Sequence, residues 1–179
     1  MDTPGSGGEI GRRTGLKIPS RETGVQVRIL PRACQTREDR LTPTQADQIA
    51  SLINERNHLT GQHDGDSVLG EAAEYEFEER DGVVVGCVQR RRVQWYQWEI
   101  RHLSVTDAWE GRGIAYAVYQ RASAHAEREG ARVLQCTIRE DNEKSIAFFV
   151  RQGFAKAVVF KNAESGNLVG VWLKSVSPP

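Results

Sequence analysis

The chain has no surplus of charge of either sign. Its 24 lysines and arginines balance 24 aspartates and glutamates among 179 residues. That excludes bulk attraction to nucleic acid or to an anionic membrane surface. No apolar run approaches the roughly 20 residues that span a bilayer. The basic residues near the start lead into no apolar stretch, so no secretory signal is read there. Cysteine is scarce: Cys34, Cys87 and Cys136 are odd in number and far apart. They give neither a disulfide framework nor a Cys-x-x-Cys metal pair, and they fit a reducing compartment. The expectation is a cytoplasmic protein with no metal and no nucleic-acid or membrane partner. The length suits one α/β domain with a real core and falls short of two.

Regular periodicity is also missing at the start. Gly5, Gly7, Gly8, Gly11, Gly15 and Gly24 gather in residues 1–32 with Pro4, Pro19 and Pro31, and only Val25 to Leu30 alternates. This composition predicts a flexible tail. The genetic code offers a sharper reading. Gln26 to Leu30 can be encoded as CAG-GTT-CGA-ATC-CTG, which contains GGTTCGAATCC, the usual T-arm sequence of a transfer-RNA gene. Gly15 to Ile18 can likewise encode an anticodon-type loop. On this reading residues 1–32 are extraneous, translated from a neighbouring transfer-RNA gene or from a start codon placed too early. A domain of residues 33–175 then follows.

What is present from there on is a mixture of strand and helix periods. Cys34 to Glu38 competes with Val25 to Leu30 for the first strand. Thr42-Pro43-Thr44-Gln45 carries the marks of a helix entry, with Thr42 as N-cap, Pro43 at the first helical position and Gln45 closing a capping box. Ile49, Leu52 and Ile53 continue at helical spacing. Gly61 to Gly70 reads as a polar loop, and Glu71 to Ala73 as the end of a short helix. Tyr75 to Glu79 and Val83 to Val88 read as strands around an Asp81-Gly82 hairpin turn. Arg90 to Arg92 reads as a polar turn, and Trp95 to Val105 as a long third strand.

A helix is predicted from Gly113, with Ala115, Val118, Tyr119, Ala122 and Ala126 on one apolar face and Glu129-Gly130 as its stop. Val133 to Ile138 is a buried strand. Asn142 caps a helix that runs to Gln152, with Gly153 as its end signal. Phe154 to Phe160 and Leu168 to Leu173 are two closing strands. The predicted fold is α/β, a mixed sheet with antiparallel strands early and a central strand–helix–strand unit, covered by helices.

The stretch from Leu103 to Ala115 sets two glycines where a strand turns into a helix. A helix N-terminus leaves backbone N–H groups unpaired and carries partial positive charge. Gly111 and Gly113 let that backbone approach an anion closely, which suits a pyrophosphate. A P-loop would need Gly-Lys-Ser/Thr here, which is absent. A dinucleotide fingerprint would need a small residue where Tyr116 stands, and would lie earlier in the chain. The remaining fit is Arg/Gln-x-x-Gly-x-Gly/Ala, with Gly113 and Ala115 at its small positions.

A second signature follows, Asn142-x-x-Ser145-x-x-x-Phe149-x-x-x-Gly153-Phe154. Together with the strand order, the two motifs resemble the GNAT (Gcn5-related N-acetyltransferase) family over about Cys34 to Lys174. The resemblance implies the acyl-CoA N-acyltransferase fold and a single catalytic domain. It implies acetyl-CoA as co-substrate and a primary amine, on a small molecule or a peptide, as acceptor. It also implies a cofactor site formed by Leu103, Ser104, Val105, Glu110, Gly111, Arg112, Gly113, Ile114, Ala115, Asn142, Ser145 and Phe149. In that site the amides of Leu103 to Val105 pair with the pantetheine arm and polarise the thioester carbonyl.

Two residues depart from the family pattern. Glu110 stands where arginine or glutamine is usual, which puts a carboxylate beside the pyrophosphate, with Arg112 next in line to offset it. Phe149 stands where many relatives carry a tyrosine, proposed there as the acid for the leaving thiolate. A thiol with a pKa of about 8.5 already leaves fairly well as its anion, so a general acid contributes less than it would for an alkoxide. Water or Ser145 could supply the proton, and Phe149 can serve as packing.

The attacking amine must lose a proton, and a base within hydrogen-bond reach assists. Glu99 occupies the position of the catalytic glutamate in the histone-acetylating branch of the family, with Trp95 and Trp98 nearby to desolvate it. An exposed glutamate paired with Arg101 is the plainer alternative. His102 is the second candidate base, with a satisfied core histidine as its alternative. Trp95, Tyr96 and Trp98 could line an acceptor pocket, form a homodimer surface or pack in the core. Two further functions stand beside the enzyme: a coenzyme-A-binding module with little catalysis, and an interaction protein using the aromatic strand.

Overall fold

The computed structural model describes residues 41–57 and 61–176. The two candidate first strands, and the tail of residues 1–32, lie outside the described residues.

Helix α1, Pro43–Asn57, opens as its sequence requires. The Gln45 amide donates to Thr42 Oγ1 at 3.3 Å, and the Thr42 amide donates to Gln45 Oε1 at 2.9 Å. This reciprocal box satisfies two amides that the first turn would leave unpaired. Ile49, Leu52 and Ile53 are buried on the inner face. Helix α2, Gly65–Gly70, lies where a polar loop was expected. Asp64 caps it, accepting from the Ser67 amide at 2.8 Å, while Ser67 Oγ accepts from the Asp64 amide. Only Gly65 and Val68 of this short helix are buried, so it has almost no apolar period to detect.

A 3-10 turn, Ala72–Glu74, leads into strand β1, Tyr75–Arg80. Strand β2, Val83–Gln94, returns antiparallel through Asp81-Gly82, both at positive φ. The arginines read as a turn are strand: β2 runs on through Arg90, Arg91 and Arg92, and the reversal comes at Trp95-Tyr96. Arg90 is buried because its guanidinium is consumed by Glu76 and by the Ala73 carbonyl. Strand β3 is therefore Gln97–Val105, shorter than the run from Trp95 that the sequence suggested.

Helix α3, Ile114–Arg128, crosses over to strand β4, Val133–Arg139, which lies parallel to β3. Helix α4 is Glu143–Arg151, and strands β5, Ala155–Lys161, and β6, Leu168–Ser175, close the chain. Among the described residues the sheet has six strands in the order β1-β2-β3-β4-β6-β5. The one hydrogen-bonded parallel pair among them is β3 with β4, joined through the crossover helix α3. Helix α4 likewise carries the chain from β4 to β5, but β6 lies between those two strands.

Two apolar clusters lie on the two faces. α1 and α2 pack against Tyr75, Val84 and Cys87. α3 and α4 pack against Val88, Ile100, Leu134 and Trp172 on the other. The buried face of α3 is Ile114, Val118, Tyr119, Ala122, Ser123 and Ala126, so Ile114 takes the place expected of Ala115. Burying a side chain such as Val118 stabilises the fold by about 1.5–3 kcal/mol, and it fixes the start of α3 against β2.

Candidate active site

The site begins where β3 and β4 part. Their pairing covers only Gln97 to Glu99 against Val133 to Gln135. Beyond Glu99 the pairing of the two strands stops, and the β3 edge from Ile100 onward has no strand partner on that side among the described residues. β3 is distorted at the same place. Cys87 pairs with Ser104 and Gln89 with Arg101, so His102 and Leu103 together face the single residue Val88. This is a β-bulge, and His102 takes φ +55° within it. A non-glycine residue in that region is uncommon and costs energy that neighbouring structure must offset. The bulge turns the backbone of Leu103, Ser104 and Val105 toward the opening.

The opening has two continuous chambers. One, of about 760 Å³, is bordered by Leu103 to Val105, the turn residues Trp109, Glu110, Gly111 and Gly113, the first residues of α3, and Asn142, Lys144 and Ser145. The other, of about 450 Å³, is bordered by Glu99 to Leu103, Cys136 to Arg139, Phe149, Phe160 and the β5–β6 turn. Arg56, Asn57, Leu103, Arg139, Asn142 and Ser145 border both. All twelve residues expected to hold the acyl donor fall on these walls except Arg112. Arg112 instead lies with its guanidinium 5.0 Å from the Trp109 ring centre.

The wall at the glycine turn can receive an anion. Gly111 and Gly113 have φ of +70° and +81°. Gly113 is the N-cap of α3 and offers no side chain to the amides of the first turn. Those of Ile114, Ala115 and Tyr116 therefore lack intrahelical acceptors. A Cβ at either glycine would meet nothing, so left-handed backbone rather than crowding requires glycine there. Gly86 sets the position of this turn. A Cβ on Gly86 would lie 2.4 Å from Ile114 Cγ2, so β2 admits the start of α3 only because that side chain is missing.

The Glu110 carboxylate is neutralised by partners the sequence did not suggest. Arg56 Nη2 donates to Glu110 Oε1 at 2.5 Å, and Lys144 Nζ donates to Oε2 at 2.8 Å. Arg56 also pairs with Asp107. Asn57 donates to Ser104 Oγ at 2.7 Å, and that hydroxyl donates to the His102 carbonyl. Asn142 caps α4 by accepting from the Ser145 amide at 3.1 Å. Phe149 is buried among Tyr119, Phe148 and Phe154, with ring centres 5.1–6.1 Å away. It presents no proton to the cavity.

Glu99 and Arg101 occupy alternate positions of β3, so both side chains stand on one face. They do not pair with one another, and neither makes an ion pair among the described residues. Arg101 instead donates to His102 Nε2, from Nε at 3.3 Å and with Nη2 at 3.1 Å. Burial first, then Arg101 and His63, hold His102 down to a pKa of about 3. A neutral ring of that pKa is a poor base near pH 7. The aromatic run divides: Trp98 is in the core, Trp95 is 75% exposed at the β2–β3 turn, and none of Trp95, Tyr96 and Trp98 borders a chamber.

Residues 35–154 match the family model described as the Acetyltransferase (GNAT) family. The chain belongs to this family of acetyltransferases. Solved structures of similar fold include Ard1 from Thermoplasma volcanium, at 18% identity and TM-score 0.65, covering 76% of this chain and 94% of that one. A putative acetyltransferase from Salmonella typhimurium with its cofactor acetyl-CoA, yncA, gives 19% identity and TM-score 0.66, with 76% and 91% covered. Rv2747 from Mycobacterium tuberculosis, in complex with CoA and NLQ, gives 18% identity and TM-score 0.63, with 77% and 98% covered. No curated protein sequence matches. As a GNAT acetyltransferase the chain is an acyltransferase, and its mixed six-stranded sheet is that family's fold. Among the described residues no group could hold a metal ion, and no helix is long and apolar enough to cross a membrane.

Proposed function

We propose that this GNAT acetyltransferase moves an acetyl group from acetyl-CoA to a primary amine by direct attack, with Glu99 as the base. The observation that carries this reading is the parting of β3 and β4 just after Glu99, beside the uncapped start of α3. The larger chamber, of about 760 Å³ and bordered by the start of α3 and by Leu103 to Val105, supports binding of the pyrophosphate and pantetheine arm there. The two GNAT structures described with CoA or acetyl-CoA support the same donor.

The residues divide the work. The amides at Gly113 to Ala115 hold phosphate oxygens at the positive end of α3. Leu103 to Val105 offer strand amides toward the acyl carbonyl. Glu99 lies where the strands separate, in the smaller chamber, and accepts the proton that the amine must lose, directly or through water. The amine nitrogen bonds to the acyl carbon, the carbon–sulfur bond breaks, and the thiolate leaves with the electron pair. Phe149 gives no proton to that sulfur, so water or Ser145 Oγ supplies it.

Thiol release with acetyl-CoA and a panel of amines, together with calorimetry of acetyl-CoA binding, tests the reading. Amine-dependent release and micromolar binding are expected. Binding with no amine-dependent release would remove the transfer step, and no binding would remove the proposal.

A further inference from the structure

The charges around the smaller chamber are nearly all satisfied. Arg56 is held by Asp107 and Glu110, and Arg139 by Asp141. Glu99 and Arg101 are the exceptions, a carboxylate and a guanidinium on one strand face, bordering the same space and making no ion pair among the described residues. A half-buried guanidinium without an anion carries a desolvation cost. Arg101 is moreover oriented. His102, in its strained bulge, accepts from the Nε and Nη2 edge. The His63 ring packs edge-on against His102 with centres 4.6 Å apart. His102 must be unprotonated to accept, and burial keeps it so. The remaining N–H groups of the guanidinium make no hydrogen bond among the described residues and suit a planar anion. Glu71 and Glu74 accept from Gln89 Nε2, the cross-strand neighbour of Arg101, and neither makes an ion pair with Arg101.

We infer that Arg101, aimed by His102, binds a carboxylate of the acceptor, and that the acceptor is an amino acid whose amine is placed at Glu99. Their Cα atoms stand about 7 Å apart along the strand, and both residues border one chamber. An amine and a carboxylate separated by one or two carbons can bridge that distance with a hydrogen bond at each end. A polyamine or a lysine side chain would set a second cation or nothing against Arg101. This inference rests on the acetyl-transfer reading and narrows its acceptor.

The test is thiol release with each common amino acid and with its α-carboxamide, the two differing only in the anion. At least one amino acid is expected to exceed its amide in kcat/KM by about 10- to 100-fold, as befits a hydrogen bond to a charged group. Arg101→Gln, verified as folded by its melting temperature, brings that ratio toward one by raising KM for the acid. His102→Asn raises KM for the acid without a matching change for the amide, which a merely structural role would not do. Amides or peptides turned over as well as the acids overturn the inference while leaving acetyl transfer standing. A ratio that survives Arg101→Gln does the same. If no amine of either kind releases thiol, both readings fall.

Discussion

Glu110 Oε2 accepts from Lys144 Nζ at 2.8 Å, while its other oxygen accepts from Arg56. The carboxylate beside the anion-binding turn is therefore held between two cations, one from the end of α1 and one from the start of α4. A phosphate entering the larger chamber meets a site whose unfavourable charge is already offset. Lys144→Met removes one of these cations and should weaken acetyl-CoA binding by about 2- to 5-fold, the scale of an exposed ion pair. Glu110→Gln frees both and should tighten binding by a similar factor. Calorimetry at low and high salt checks both, and the differences should shrink as salt rises. Equal affinities for the wild type and Glu110→Gln at low salt would show that the carboxylate is not felt by the donor.

Gly86 and Ile114 are in contact only because Gly86 has no side chain. Gly86→Ala would push the first turn of α3 away from β2, and overpacking of this kind typically costs about 1–3 kcal/mol. The same displacement moves the amides of Ile114 and Ala115. The variant is expected to lose acetyl-CoA affinity well beyond its loss of melting temperature, compared with a destabilising change remote from the chamber such as Ala126→Gly. Proportional losses in the two variants would separate Gly86 from the site.

Much of this was legible in the sequence wherever one residue type had one physical use. The Thr42–Gln45 box, the Gly111 and Gly113 turn and the Asn142 cap all stand as read. The hairpin reversal did not, because Arg90, Arg91 and Arg92 look solvent-facing. Arg90 is buried by Glu76 and by an Ala73 carbonyl, partners brought together only by the fold. The helix at Gly65 escaped because one buried valine gives no period. Glu99 and the Leu103 to Val105 segment were implied by the family resemblance, but Arg56 and Asn57 had no signal of their own. Lys144 had a weak one, a cation between the cap Asn142 and Ser145. The alternative reading of Glu99 as a partner of Arg101 finds no such pair among the described residues; Arg101 meets His102 instead, through a bulge that no residue pattern announces.

Glu99 is a carboxylate of the smaller chamber with no ion pair among the described residues, and it lies at the last paired position before the strands part. Glu99→Gln keeps the shape and removes the basicity. General-base assistance is worth about 100- to 10,000-fold, so kcat should fall within that range. The acetyl-CoA dissociation constant should change little, since Glu99 borders the other chamber. The loss should diminish at high pH, where more of the amine is already deprotonated. Stopped thiol-release assays from pH 7 to 10 measure this. A pH-independent loss, or none, would place the base elsewhere.

His102 sets the behaviour in acid. Its folded pKa of about 3 lies below the ordinary value of 6.5 because burial, Arg101 and His63 all disfavour the charged ring. Between those two values the unfolded chain takes up a proton at this position and the folded chain does not. Stability from the neutral ring is therefore complete above pH 6.5 and is lost as the pH falls toward 3. Chemical denaturation at pH 7 and pH 5 should show a decline of about 1–2 kcal/mol attributable to this residue. His102→Asn removes the titrating group while tolerating the left-handed backbone. The variant should be somewhat less stable than the wild type at pH 7, where Arg101 loses its acceptor, and the gap should narrow or reverse at pH 5. A gap that widens on acidification would mean that the ring is protonated in the folded protein and that Arg101 is not held by it.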